Sequence, residues 1–301
     1  MPSYPLMSLT LLAAALGLAG CQPSAPAASS APAAPSAAPA AAADLSACKP
    51  GDMPTHTPGV LTIATDDPAY APWFVGNDPA NGQGFESAVA YAVAQQMGYP
   101  ADKVKWVKVP FNAAVSPAPK AFDFDINQFS ISAERQKVVD FSTPYYAATQ
   151  VVVGLQGGAL KDVKAVADLT GAKLGAQVGT TSLIALRNGI KPSSPPAVFD
   201  TNDLAVAALK AGQVDGIVVD LPTAFYMTGS DQLGGKGLIV GQIPSGAAAS
   251  GDSADDPFGL LLEKGSAMTP CVSQAVDALR AAGTLDKLAG RWLTQQGAPI
   301  L

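Results

Sequence analysis

Arg135 stands where the electrostatics of a helix disfavour a cation, and it is the first residue of this sequence whose placement suggests chemistry. Ser132 has the type and position of an N-cap for a short helix running through Val139, which puts Arg135 in the first helical turn. The N–H groups of that turn have no intrahelical acceptors and carry partial positive charge. A guanidinium there costs a few tenths to about 1 kcal/mol unless an anion lies in front of it. An anion would be held twice, by the helix end and by the planar fork of the arginine. The competing role is a surface ion pair with Glu134 or Asp140. Two further groups could serve the same chemistry. Gly179-Thr180-Thr181 opens a helix after a strand and offers N–H groups and hydroxyls to an anion, although a threonine there can also be only a cap. Asp220 ends an apolar run, where a carboxylate is costly to bury without a partner. That partner is either a ligand ammonium or the turn near Leu221 and Pro222.

The elements that must position these residues follow from periodicity and turn chemistry. Residues 60–64 form a first strand, and the proline-rich stretch 65–74 is a loop at its carboxyl end, the place where open α/β sheets bind ligands. A helix after Gly84 carries Val89, Val93 and Met97 on one face and stops at Gly98. Strands are predicted over 104–109 and 124–129, the latter ending at Ser130. Residues 145–155 form one extended run, longer than a typical strand and suited to a crossover between lobes. A second unit follows: strand 173–177, a helix to Arg187, strand 197–199, helix 203–211 capped by Asn202 or Thr201, and strand 216–219. Residues 229–256 read as loops around one strand, 238–241, and 258–263 as a return strand. Two helices close the chain, 271–282 and, capped by Thr284, 285–295. The expectation is an α/β protein of two lobes, 48–148 with 256–301 and 149–255.

Ser-Ile-Ser-x-x-Arg at 130–135, followed by Val-x-Phe-Ser-x-Pro-Tyr-Tyr at 139–146, resembles the signature of the amino-acid-binding solute receptors of ABC importers. The likeness runs from about Gly59 to Trp292 and includes Gly84-Phe-Glu-Ser-Ala-Val. It implies a type II periplasmic-binding-protein fold with a ligand cleft between two lobes, closing on an L-amino acid with a polar or charged side chain. In that family the arginine matching Arg135 takes the ligand's α-carboxylate, and Ser130, Thr180 and Thr181 are expected at the same site. Asp220 stands where the family places the acceptor of the α-amino group, so that Arg135 and Asp220 together would read a zwitterion. Tyr70 and Phe111 match positions where the family places aromatics, whereas Trp73 reads as core packing. The sequence departs from the family at Asn127 and Gln128, where small or aliphatic residues are usual, which makes Gln128 part of an unusually polar pocket. Asp67, or its neighbour Asp66, matches the acid that meets a cationic side chain.

Composition sets the address and excludes other classes. Residues 1–20 resemble a lipoprotein signal peptide, although they contain no Lys or Arg, and end in Leu-Ala-Gly before Cys21, the predicted lipidation site. An Ala/Pro/Ser tether, 21–47, is expected to be extended, because its prolines repeatedly block helix. The expected location is therefore extracytoplasmic, on a lipid anchor in the membrane, with ABC permease subunits as partners and the receptor itself a monomer. In an exported chain Cys48 and Cys271 are left to form a disulfide. The net charge of −6 argues against a nucleic-acid partner. His56 is the only histidine and no Cys/His cluster has metal-ligand spacing, so neither a metal nor any other cofactor is expected. The chain is read as a binding protein and not an enzyme. The alternatives are a small-acid dehydratase on the same fold, with Glu86 as its acid or base, and a ligand-sensing partner of a membrane receptor.

Overall fold

The computed structural model describes residues 45–244, 256–293 and 297–301. The signal segment, Cys21, most of the tether and the end of the last predicted helix lie outside the described residues. The chain lays down β1 (Leu61–Thr65), α1 (Phe85–Gln96), β2 (Val104–Lys108), one helical turn α2 (Phe111–Ala114), β3 (Phe124–Asp125), the short α3 (Ala133–Gln136) and β4 (Val139–Phe141). It crosses over through β5 (Tyr146–Ala148) and β6 (Gln150–Leu155). It then builds β7 (Leu174–Gln177), α4 (Thr181–Ala185), β8 (Ala197–Phe199), α5 (Asn202–Lys210), β9 (Gly216–Asp220), α6 (Leu221–Gly229) and β10 (Gly237–Gln242). The return runs through β11 (Asp256–Phe258) and β12 (Leu261–Glu263) into α7 (Thr269–Ala281) and α8 (Thr284–Trp292).

Two five-stranded sheets result, ordered β2-β1-β3-β12-β4 and β10-β6-β9-β7-β8, and β5 pairs with β11 in a two-stranded ribbon between them. The β/α units keep β1 parallel to β2 and β3, and β7 parallel to β8 and β9. The crossover and return strands enter antiparallel: β6 against β9 and β10, β12 against β3 and β4. Every residue of β1 is buried, as expected of a central strand covered on both faces. On α1, Val89, Val93 and Met97 are fully buried. The carbonyls of Pro72 and Trp73 accept the first N–H groups of α1, at 3.0 Å each, so the proline-rich loop supplies the acceptors the helix start lacks. Gly84 permits this approach: at φ 101° a Cβ there would lie 2.3 Å from the Trp73 carbonyl oxygen. The expected disulfide joins Cys48 to Cys271, with Cα atoms 5.4 Å apart, and fastens the start of the fold to α7.

Several boundaries differ from expectation. Leu45 already packs on the first core, so the tether ends before residue 47. The helix after Ser132 stops at Gln136, because Val139 pairs with Glu263 as β4 begins. The run 145–155 is broken at Thr149 between β5 and β6, and the return strand is broken at Gly259 and Leu260. Only Phe124 and Asp125 of the third predicted strand are in the ladder. The helix after Thr181 passes at residue 186 into a wider turn, and Gly283 in the left-handed region, rather than Thr284, caps α8. A helix, α6, occupies what looked like a turn after Asp220, with Pro222 in the first turn, where its missing N–H costs nothing. The chain end was assigned to the first lobe, yet Leu301 donates to Gln242 and Pro299 accepts from it, on the edge strand β10 of the second sheet. An edge strand has unpaired groups to offer such a segment.

Candidate functional site

One cavity between the sheets collects residues from both. Asp66, Tyr70, Phe111, Asn127, Gln128 and Arg135 line it from the first lobe; Gln177, Thr180, Thr181, Ser182, Asn202, Val219, Asp220 and Thr223 line it from the second. Eight of the nine predicted ligand residues are thus at or against the cavity, Ser130 through its contact with Thr181. Asp67 is not. Its carboxylate pairs with Lys108 at 2.7 Å and accepts from Asn77, on the exposed side of the loop, whereas Asp66 faces the cavity.

Ser132 caps α3 as expected, its Oγ accepting the Arg135 N–H at 3.1 Å. The surface pairing proposed for Arg135 is not adopted, since Glu134 is paired with Lys137 and Asp140 with Lys264. The guanidinium instead donates Nη1 to the Ser130 carbonyl at 2.7 Å and Nη2 across the cleft to the Gly179 carbonyl at 3.0 Å. Its Cζ lies 5.4 Å from the centroid of the Phe111 ring, which in turn stacks on Phe129. Burial pulls its pKa down to about 10, opposed by the charges of Asp256 and Asp220, so the group is a cation at neutral pH.

The second lobe meets it with a strand-to-helix corner. Thr180 caps α4, accepting the Leu183 N–H at 3.2 Å, and donates its hydroxyl proton to the Gln177 carbonyl. Gly179 has φ 75°, which favours glycine, and a Cβ there would meet Asn112 Oδ1 of the first lobe at 2.4 Å, so a larger residue would also have to displace that amide. The hydroxyls of Ser130 and Thr181 lie 3.1 Å apart across the same gap, and the Tyr70 hydroxyl accepts the N–H of Asp203 at 3.3 Å. Trp73 packs against Phe85, Tyr146 and Phe258, as core, and donates Nε1 to Thr223 Oγ1.

Two acids near the cavity are shifted far from ordinary carboxylates. Asp220 accepts from Gln150 Nε2 at 2.6 Å, yet burial pushes its pKa up to about 7, with a further push from Asp256. Glu86, fully buried on the first turn of α1, is also raised to about 7 by burial, even though it accepts the backbone N–H and side-chain Nε2 of Gln128 and the hydroxyl of Tyr145. Asp66 is raised by burial as well, partly offset by the N–H groups of Asp67 and Phe111. Sequence reasoning missed Gln150, whose Nε2 also reaches Asp256 and whose Oε1 accepts from Ser182. A glutamine within a run of buried valines was the available signal, because a buried amide needs partners. Among the described residues no group of His, Cys, Asp and Glu could hold a metal ion, and no helix is long and apolar enough to cross a membrane.

Residues 61–295 match the bacterial extracellular solute-binding proteins, family 3. The chain belongs to this family. Among relatives of this solute-binding protein is the arginine-binding extracellular protein ArtP of Bacillus subtilis, 26% identical over 83% of this chain and 92% of that one. An ancestral arginine-binding protein bound to arginine superposes with a TM-score of 0.64 at 29% identity, covering 78% of this chain and 99% of that one. The ancestral amino acid-binding protein AncCDT-1, a precursor of cyclohexadienyl dehydratase, gives a TM-score of 0.63 at 26% identity, covering 78% and 96%. The two sheets joined by crossing strands are the two-lobe type II periplasmic-binding fold of such proteins.

Proposed function

We propose that this solute-binding protein is the extracytoplasmic receptor of an ABC importer and binds an L-amino acid with a polar or charged side chain. The observation that carries the reading is that Arg135 and Asp220 line one cavity from opposite lobes. A guanidinium has five N–H donors, and the two carbonyl bonds of Arg135 leave three for a carboxylate. Asp220, buried and costly to ionise alone, gains most from an ammonium placed beside it. An α-amino acid brings both charges on one carbon, so a single ligand satisfies both lobes and its binding favours the closed form. Tyr70 and Phe111 would flank the side chain, and Asp66 supplies negative charge at that end. Cys21 would carry a lipid that holds the receptor at the membrane, and the receptor would act as a monomer. A thermal-shift screen of the common amino acids, sugars and divalent metals tests the class. Zwitterionic amino acids are expected to raise the melting temperature; a response to sugars or metals alone would overturn the reading.

The similarity to a precursor of a dehydratase supports a second reading, an enzyme acting on a small acid with Glu86 as its proton donor. Against it, both oxygens of Glu86 are occupied by Gln128 and Tyr145. Turnover of prephenate-like acids by purified protein would favour the enzyme.

A further inference from the structure

Gln128, which lines the cavity, and Glu86 behind it form a pair that the zwitterion reading does not use. Gln128 is one of few non-glycine residues here with positive φ, at 47°, a conformation that normally favours glycine. It is held there by Glu86, which takes the Gln128 backbone N–H at 2.7 Å on Oε1 and the side-chain Nε2 on Oε2. Oε1 also receives the Tyr145 hydroxyl, so three donors converge on one carboxylate. In this contact the amide nitrogen of Gln128 is the donor and Glu86 Oε2 the acceptor, so the amide is turned with its nitrogen toward Glu86. With its nitrogen turned to Glu86, Gln128 keeps its carbonyl oxygen Oε1 as an acceptor, beside one further N–H, for the cavity it lines. Asp66 lines the same cavity and likewise presents oxygen acceptors.

We infer that Gln128 is a specificity-determining residue, turned by Glu86 so that it offers the ligand an acceptor, and that this subsite therefore selects amino-acid side chains ending in N–H donors over those ending in a carboxylate. Glu86 acts here as a positioning residue. A carboxylate in the subsite would face the oxygens of Gln128 and Asp66, whereas a guanidinium, ammonium or primary amide supplies protons to both. The inference rests on the receptor reading but concerns only the side-chain end of the ligand. The α-carboxylate and α-ammonium partners, Arg135 and Asp220, are common to every candidate ligand.

The test is a ratio of affinities. Calorimetric Kd values for L-arginine, L-glutamine and L-glutamate are measured on the wild type, Glu86→Gln and Gln128→Gly. In the wild type, arginine and glutamine should bind at least about a hundredfold more tightly than glutamate, the gap expected when buried acceptors are left unmatched. Glu86→Gln can donate to Gln128 Oε1 and release the amide to turn its NH2 to the cavity; the preference for arginine over glutamate should then fall at least about tenfold. Gln128→Gly fits the positive φ, keeps the N–H to Glu86 and deletes the amide, so it should compress the same ratio. A merely structural role would weaken all three ligands alike. A wild-type ratio preserved in both variants, or a wild type that prefers glutamate, overturns the inference. Loss of all amino-acid binding in the wild type, or binding indifferent to Arg135→Ala, would instead overturn the receptor reading.

Discussion

Binding should weaken sharply as pH falls below 7, and the weakening should be traceable to Asp220. Burial holds this carboxyl at a pKa of about 7 in the empty cavity. A bound ammonium favours the carboxylate and returns the pKa toward or below its ordinary value of about 3.9. The proton and the ligand therefore compete. At pH 7 about half of the empty protein has Asp220 ionised, and at pH 5 about one molecule in a hundred. Apparent affinity should drop about 50-fold across that interval, equivalent to about 2.3 kcal/mol. The ligand's α-carboxyl titrates near 3.5 and its α-amino group near 8, so neither changes charge in this window. Arg135, at about 10, stays protonated throughout. Isothermal calorimetry with L-arginine at pH 7, 6 and 5 gives the slope. Repetition in buffers of different ionisation heat counts the protons released, about half a proton at pH 7 and about one at pH 5. Asp220→Asn should bind weakly with a shallower profile, because Glu86 still titrates in this window. A flat wild-type profile, or an equal slope in both proteins, would refute the assignment of Asp220 to the ammonium.

Arg135→Ala should lose at least about a hundredfold in affinity by the same calorimetry, and Arg135→Lys should recover only part of it, since an ammonium cannot make the planar two-bond fork. Cys48→Ser with Cys271→Ser should cost up to about 5 kcal/mol in denaturant melts, because the bond closes a loop of 223 residues in sequence separation, while ligand affinity changes little. Asp125 is fully buried, and burial raises its pKa well above the ordinary value, helped by the charges of Glu86 and Asp66 and opposed by Lys120 and the Ile126 N–H. A raised folded-state pKa means stability is greatest below the unfolded value and is lost as pH rises toward the folded one. Glu86, raised to about 7, acts in the same direction. The melting temperature of the empty protein should therefore fall from pH 4.5 to pH 8, less steeply in Asp125→Asn than in the wild type; equal slopes would show that Asp125 does not titrate in that range.

What could be read from the sequence was what is written locally. Ser132 followed by Arg135 announces a capped turn with a cation in it, because capping depends on residues three apart. Gly179, Thr180 and Thr181 announce a strand-to-helix corner for the same reason, and Asp220 is conspicuous at the end of four apolar residues. The α/β alternation followed from strand and helix periodicity, and the partner of Cys48 from the scarcity of other cysteines. The choice between Asp66 and Asp67 was out of reach, since it depends on Lys108, which comes to the loop from β2 and draws Asp67 outward. Likewise α6 was hidden behind a proline that can end a turn or begin a helix, and it is fixed by packing on β6, β9 and β10. The Glu86–Gln128 contact joins residues 42 apart, and the Gln150–Asp220 contact residues 70 apart. The sequence by itself determined which groups could bear charge and which could turn the chain, because those are properties of single residues and their near neighbours. Only the tertiary structure decided which of those groups share a cavity and in which protonation state they wait there, because burial and the field of other charges arise only when distant segments meet.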